Sequence, residues 1–131
     1  MLGIANIFRI CGVFYIIFGG GLAISALVFT ESWFEENATS EMIRMGKQMA
    51  IIISSLGIGT GILFLSSSFI KDVNSAKMVL IGVSVSSLLL FLSFLINEIV
   101  FSGSPPIPIW IMMAVAFVLS IYGRLKINTI W

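Results

Sequence analysis

The chain has 131 residues, of which 59% are hydrophobic and only 10% are charged, and its net charge is +1. Soluble domains average about 25% charged residues, so seven basic and six acidic side chains cannot cover a water-soluble surface of this size. Disorder requires low hydrophobicity and nucleic-acid binding requires a basic surface, so the composition excludes both classes. The class that is left is an integral membrane protein, whose first partner is the lipid bilayer.

The sequence contains one cysteine, Cys11, and no histidine. One cysteine cannot form an internal disulfide bond, and the usual ligands of transition metals and haem are missing. We expect no cofactor, no metal site and no catalytic residues, since no nucleophile lies beside a base. The chain is accordingly predicted not to be an enzyme, or at most to be a subunit of a membrane enzyme complex.

Four apolar segments are long enough to cross a hydrocarbon layer about 30 Å thick, which takes about 20 helical residues. They are predicted at residues 10–29, 50–70, 78–98 and 107–123, with an outer segment at 30–49. The first segment is longer than a signal-peptide core, so we expect it to be retained. The runs are continuous rather than alternating, which indicates helices and not barrel strands. The sequence predicts one membrane domain, residues 1–131, that is an all-α bundle of four transmembrane helices.

Basic residues divide unequally between the two sides of this bundle. The side with the chain termini holds Arg9, Lys71, Lys77, Arg124 and Lys126, and the other side holds Arg44 and Lys47. Because Lys and Arg concentrate in cytoplasmic loops, both termini are predicted to be cytoplasmic. We expect the plasma membrane rather than an organelle. The side chains predicted to mark the membrane interfaces are Arg9, Trp33, Phe34, Trp110, Tyr122 and Trp131.

The outer segment contains two patterns that are typical of helix starts. Ser32 and Glu35 are spaced as in a capping box, which predicts a short interfacial helix that turns Trp33 and Phe34 toward lipid. Ser40, followed by an acidic residue, predicts a second start that leads into the second span. The segment is either a plain interfacial connector or a surface for docking a partner.

Ionisable residues are almost absent from the spans, and the candidate polar site is the pair Asn97 and Glu98 near the outer end of the third span. The pair is interpreted either as interfacial groups in contact with water or as an ion or proton site. Residues 37–39 also match the acceptor pattern for N-glycosylation at Asn37, on the predicted outer side.

Small residues recur on the spans at spacings that let helix backbones approach each other closely. The predicted helix-packing positions are Gly12, Gly19, Gly57, Gly61, Gly82 and Ser86. They serve either packing within the bundle or docking of a neighbouring subunit. The short connection between the second and third spans further predicts that these two helices are neighbours.

Four apolar spans without any chemical constellation favour a non-catalytic accessory or structural subunit of a larger membrane complex, with other membrane-protein subunits as its partners. The alternative is a small channel or transporter that acts as a homo-oligomer, with Glu98 at the mouth of its pore. Its predicted pore-lining residues are Ser54, Ser84, Ser86, Ser87 and Ser93. A third hypothesis is a lipid-binding or membrane-shaping protein.

Overall fold

The computed structural model describes residues 2–28, 33–34, 36–101, 103 and 105–131. Most of them belong to four α-helices, which are α1 (Ile4–Val28), α2 (Ser40–Ser67), α3 (Val73–Phe101) and α4 (Ile107–Lys126). All four are long and apolar enough to cross a membrane, and the described part of the chain contains no β-strand. The predicted all-α class with four candidate spans is thereby confirmed.

The helices extend beyond the apolar segments that predict them. α1 begins at Ile4, whereas its predicted span begins at residue 10. α2 begins at Ser40, whereas its predicted span begins at residue 50. Helical hydrogen bonds continue through polar residues, so the helix need not end where the apolar run ends. With 28 and 29 residues, α2 and α3 are roughly 42 and 44 Å long at 1.5 Å per residue. Both therefore exceed a hydrocarbon layer about 30 Å thick.

Side-chain caps define where α2 and α3 begin. α2 starts at Ser40, as its sequence predicts, and the Thr39 hydroxyl accepts a hydrogen bond from the Met42 amide at 3.3 Å. α3 follows Asp72, whose carboxylate accepts hydrogen bonds from the Ser75 amide at 2.7 Å and the Ser75 hydroxyl at 2.6 Å. Both caps satisfy backbone donors that have no partner inside the helix.

Prolines define the start of α4. Pro106 precedes the helix and Pro108 lies in its first turn, where the missing N–H would have had no helical partner.

The connection between α1 and α2 is described only in part. The predicted capping box of Ser32 and Glu35 lies outside the described residues.

α1 lies at the centre of the arrangement. It packs most extensively against α2, while α3 packs against α4, so the chain forms two antiparallel hairpins. Further contacts of α1 with α4 and α3 join the hairpins, whereas α2 and α3 barely touch. The prediction that α2 and α3 are neighbours is therefore wrong. Their short connection brings together only two helix ends, and closer packing holds α2 on α1 along its length.

The two ends of the bundle are packed differently. We call the end that carries both chain termini the termini end, and the end with the α1–α2 and α3–α4 connections the loop end. Toward the termini end, Ile4, Ile7 and Phe8 of α1 and Leu80 of α3 are at most 1% exposed. Toward the loop end, α1 buries only Ala26 after Gly19, and α3 buries no residue after Phe94.

Residues 127–131 return across the termini end and cap α1. The Ile4 amide donates to the Thr129 carbonyl at 3.1 Å, and the Ala5 amide donates to the Ile130 carbonyl at 2.9 Å. These amides lie in the first helical turn and have no acceptor inside the helix. A Cβ atom built at Gly3 would lie 2.5 Å from the Ile130 oxygen, so this approach requires glycine.

Candidate functional site

The closest helix approach in the fold is the crossing of α1 and α2. A Cβ atom built at Gly12 would lie 2.8 Å from the Gly61 oxygen, and one built at Gly61 would lie 2.7 Å from the Gly12 oxygen. Further along, a Cβ at Gly57 would lie 3.2 Å from the Gly19 Cα atom. The Ser54 hydroxyl donates to the Gly19 carbonyl at 2.6 Å. The structure therefore brings together four of the six predicted packing residues.

The other two predicted packing residues lie on a different surface. A Cβ atom built at Gly82 would meet nothing within 4 Å, and the exposed Ser86 hydroxyl donates to the Gly82 carbonyl at 2.7 Å. Gly82 therefore does not lie at a close helix approach within the described chain. The same holds for Gly20 and Gly21, so only the first glycine of the central run lies at the crossing.

Buried hydroxyl groups link α1, α3 and α4. The Tyr15 hydroxyl lies 3.2 Å from the Ser87 hydroxyl, and the Ser84 and Ser120 hydroxyls lie 2.8 Å apart. Every buried polar side-chain atom of the described residues has a hydrogen-bond partner. Because these groups bond to one another, they link the helices that carry them. Sequence alone did not pair them, although Tyr15 is the one phenol well inside a span.

A cavity of about 700 Å³ lies at the loop end. Its walls are mostly aromatic and aliphatic, with Phe18 and Leu22 of α1, Ile53 of α2, Phe94 of α3 and Ile109 of α4. None of the described lining residues carries a charge. A pocket of this size and apolar character is typical of small-molecule binding sites.

The rim of the cavity is formed where α3 ends and the connection to α4 begins. Asn97 lines the cavity, and its carbonyl accepts a hydrogen bond from the Gly103 amide at 3.3 Å. The Asn97 side chain is exposed and makes no hydrogen bond to any described residue. Nearby, the Trp110 indole donates to the Pro105 carbonyl at 3.2 Å, and its ring meets Phe94 at 5.7 Å between centroids.

The structure separates the members of the predicted polar pair. Asn97 lines the cavity, whereas Glu98 is exposed and does not belong to the described lining. Adjacent residues on a helix point about 100° apart, which explains why only one of them reaches the cavity. The sequence pointed to this end of α3 but not to the cavity itself.

The predicted interfacial residues fall at both ends of the bundle. At the termini end, the Arg9 guanidinium lies 5.2 Å from the centroid of the exposed Trp131 ring, and Tyr122 is exposed. At the loop end, Trp33 borders the cavity. Phe34 covers Gly46 of α2 so closely that a Cβ atom there would collide with its ring.

Within the described residues, no group of three His, Cys, Asp or Glu side chains is arranged to hold a metal ion. The features that stand out are therefore the glycine crossing, the hydroxyl pairs and the uncharged cavity. No protein-family model, no characterised protein and no solved structure matches the chain.

Proposed function

We propose that the chain is a non-catalytic accessory subunit of a larger membrane complex and that it docks a partner through the outward face of α2. The observation that carries this proposal is a stripe of exposed methionines on the first turns of α2, before the apolar run of residues 50–67. Met42, Met45 and Met49 are 56%, 59% and 57% exposed.

The length of α2 supports a position of these methionines outside the hydrocarbon layer. Residues 50–67 alone span roughly 27 Å, close to the thickness of that layer. The preceding turns carry Glu41, Arg44 and Lys47, which are costly to place in lipid. Exposed apolar side chains in that position face water or headgroups, and an apolar patch of this kind is typical of a protein interface.

The methionine stripe continues down the helix in a regular pattern. Its exposed members are Met42, Met45, Met49, Ile52 and Leu56. The spacing of three and four residues is that of a seam that accepts the side chains of a second helix. Methionine is flexible and polarizable, so it adapts to such a partner surface. The partner is accordingly a membrane protein that presents an apolar helix.

The charge distribution supports the orientation within this proposal. Five basic residues toward the termini end against two at the start of α2 favour a cytoplasmic position for both termini. The α2 extension and the connection that contains Trp33 and Phe34 then lie at the outer face of the plasma membrane, with these aromatic side chains at the interface.

The channel alternative receives less support from the hydroxyl groups that would line its pore. Ser54, Ser84, Ser86 and Ser93 each donate to a backbone carbonyl, at distances of 2.6–2.9 Å. Ser87 pairs with the Tyr15 hydroxyl. Hydroxyls that already donate to a helix carbonyl or pair with a neighbouring side chain do not form a continuous polar path through a single chain.

A triple substitution tests the subunit proposal. Met42, Met45 and Met49 are replaced together by Gln, and a matched control replaces the same three residues by Leu. Membranes of the native cell are extracted in mild detergent, and the size of the assembly is measured by blue-native electrophoresis. We expect the wild type and the Leu variant to migrate in an assembly, and at least a tenfold loss of that assembly in the Gln variant.

Two results would contradict the proposal. The first is a wild-type chain that migrates as a monomer, and the second is an assembly that the Gln substitutions leave unchanged. Cross-linking and mass spectrometry of the assembly identify its members. An assembly that contains only this chain would support the homo-oligomer alternative instead of the accessory subunit.

A further inference from the structure

The uncharged cavity at the loop end lies between helices that scarcely touch. Ile53 of α2 and Phe94 of α3 both line it, yet α2 and α3 make the least contact of all the helix pairs that meet. Both helices are long and apolar enough to cross a membrane. A molecule dissolved in the membrane therefore reaches the cavity sideways, between α2 and α3.

The lining restricts what the cavity can hold. A charged group in the interior would have no counter-charge among the described lining residues, none of which is ionisable. Ordered water needs two to four polar partners, and the aromatic and aliphatic walls do not supply them. An empty apolar void forfeits dispersion contacts with its walls. The occupant that satisfies all three conditions is an uncharged hydrocarbon chain.

Polar groups gather at one edge of the cavity. Ser25 lies one turn after Leu22 on α1, and Asn97 lies one turn after Phe94 on α3. The Asn97 carboxamide offers both a donor and an acceptor that no described residue uses. This edge lies toward the ends of both helices, where a bilayer places its ester and headgroup region. An amphiphile whose chain fills the cavity would bring its polar end there.

We infer that the cavity is a lipid-binding site, which takes one acyl chain of a membrane phospholipid between α2 and α3 and places the adjoining ester and headgroup beside Asn97. The volume of about 700 Å³ falls within the range of pockets that enclose a small ligand. The site is distinct from the methionine stripe, so each proposal can fail without the other.

Two neighbouring glycines provide a matched test. A Cβ atom at Gly20 or at Gly21 meets nothing within 4 Å, yet only Gly21 lines the cavity. Gly21→Phe therefore fills the site, whereas Gly20→Phe adds the same ring elsewhere on the same helix. Ser25→Phe, one turn further along the lining face, fills the site independently in case Gly21→Phe does not fold.

The measurement is retention of phosphatidylcholine by the full-length protein. Each variant is reconstituted with phosphatidylcholine, transferred to mild detergent and examined by native mass spectrometry, with helix content checked by circular dichroism. We expect one retained lipid per chain in the wild type and in Gly20→Phe. We expect at least a tenfold loss of retention in each folded cavity-filling variant.

A competition experiment identifies which part of the lipid is bound. Lysophosphatidylcholine, which has one acyl chain, should displace the retained lipid, whereas glycerophosphocholine, which has the headgroup and no chain, should not. Displacement by glycerophosphocholine would overturn the inference. So would a wild type that retains no lipid, or equal retention in Gly20→Phe and in the folded cavity-filling variants.

Discussion

The termini end and the loop end are built from the same four helices, yet one is closely packed and the other contains an open cavity. Toward the termini end, Gly12 and Gly61 let the backbones of α1 and α2 approach so closely that a Cβ atom on either glycine would collide with the other backbone. Toward the loop end, the rings of Phe94 and Trp110 meet at a tilt of 59°, and α1 buries little beyond Gly19.

This difference teaches what holds a bundle together in lipid. Apolar burial gives little drive for association, because lipid tails are as apolar as the side chains themselves. Close approach, dispersion contacts and hydrogen bonds must therefore supply it. The packed half has all three, with the glycine crossing and the Tyr15–Ser87 hydrogen bond. Beyond Gly19, no described glycine of the open half lies against the backbone of another helix, and the cavity lies in this half.

Gly61→Ala should have the largest effect on stability. The new Cβ atom would lie 2.7 Å from the Gly12 oxygen and 2.9 Å from the Ile16 nitrogen, so one backbone must move. We expect a loss of about 1–3 kcal/mol, the usual cost of overpacking. Thermal unfolding in bicelles, followed by circular dichroism, measures the loss.

The control for this substitution lies in the open half. Gly20→Ala adds the same methyl group where no atom lies within 4 Å, and Gly59→Ala does so on α2. Alanine is the better helix former, so neither control should destabilise the protein. A loss in Gly20→Ala equal to that in Gly61→Ala would remove the contrast between the two halves.

Tyr15→Phe should have an intermediate effect, because it removes one hydrogen bond from the packed half and leaves the ring against Phe64. Hydrogen bonds between membrane helices contribute about 0.6 kcal/mol on average, and we expect a loss of that order. A double-mutant cycle with Ser87→Ala isolates the pair. Tyr122→Phe is the matched control, since the Tyr122 hydroxyl is exposed and bonds to no described residue. Full additivity of the two substitutions would show that the pair contributes nothing.

Acidification should have the smallest effect, at the cap of α3. The hydroxyl of Ser75, and then its amide, donate to the Asp72 carboxylate and hold the pKa of that carboxyl below its ordinary value. This contribution to stability is complete above the unfolded pKa of about 3.9 and is lost as pH falls through the lower folded pKa. We expect Asp72→Asn to lose that part of the pH dependence. Unfolding of the wild type and of Asp72→Asn is measured between neutral and acidic pH. If stability depends on pH in the same way in both proteins, the role of the cap is contradicted.

The fold class was predictable because hydropathy acts on each segment separately. An apolar run must leave water whatever its neighbours are, so four helices follow from the sequence alone. Which helices touch is a different matter. Gly12 and Gly82 both belong to small-residue stripes, but only Gly12 meets another helix. A stripe shows that a face permits close approach and does not identify the helix that approaches.

The cavity was not predictable for a related reason. Its existence depends on the angle at which helices diverge, and no single segment encodes that angle. Asn97 was singled out for its polarity near the end of an apolar span, and the structure adds that it faces a void. The cap formed by Thr129 and Ile130 was missed because an extended segment without periodicity carries no signal of what it covers.

That cap has a consequence for the order in which the protein forms. Ile4 and Ala5 are synthesised before the other three helices, and the carbonyls that accept their hydrogen bonds belong to residues 129 and 130. The first turn of α1 therefore lacks these two acceptors while the other three helices are synthesised and inserted. Contacts between such distant residues close last, since they require the longest loop. The contacts at the termini end therefore form only after α4 is in place, and a chain interrupted before that point does not form them.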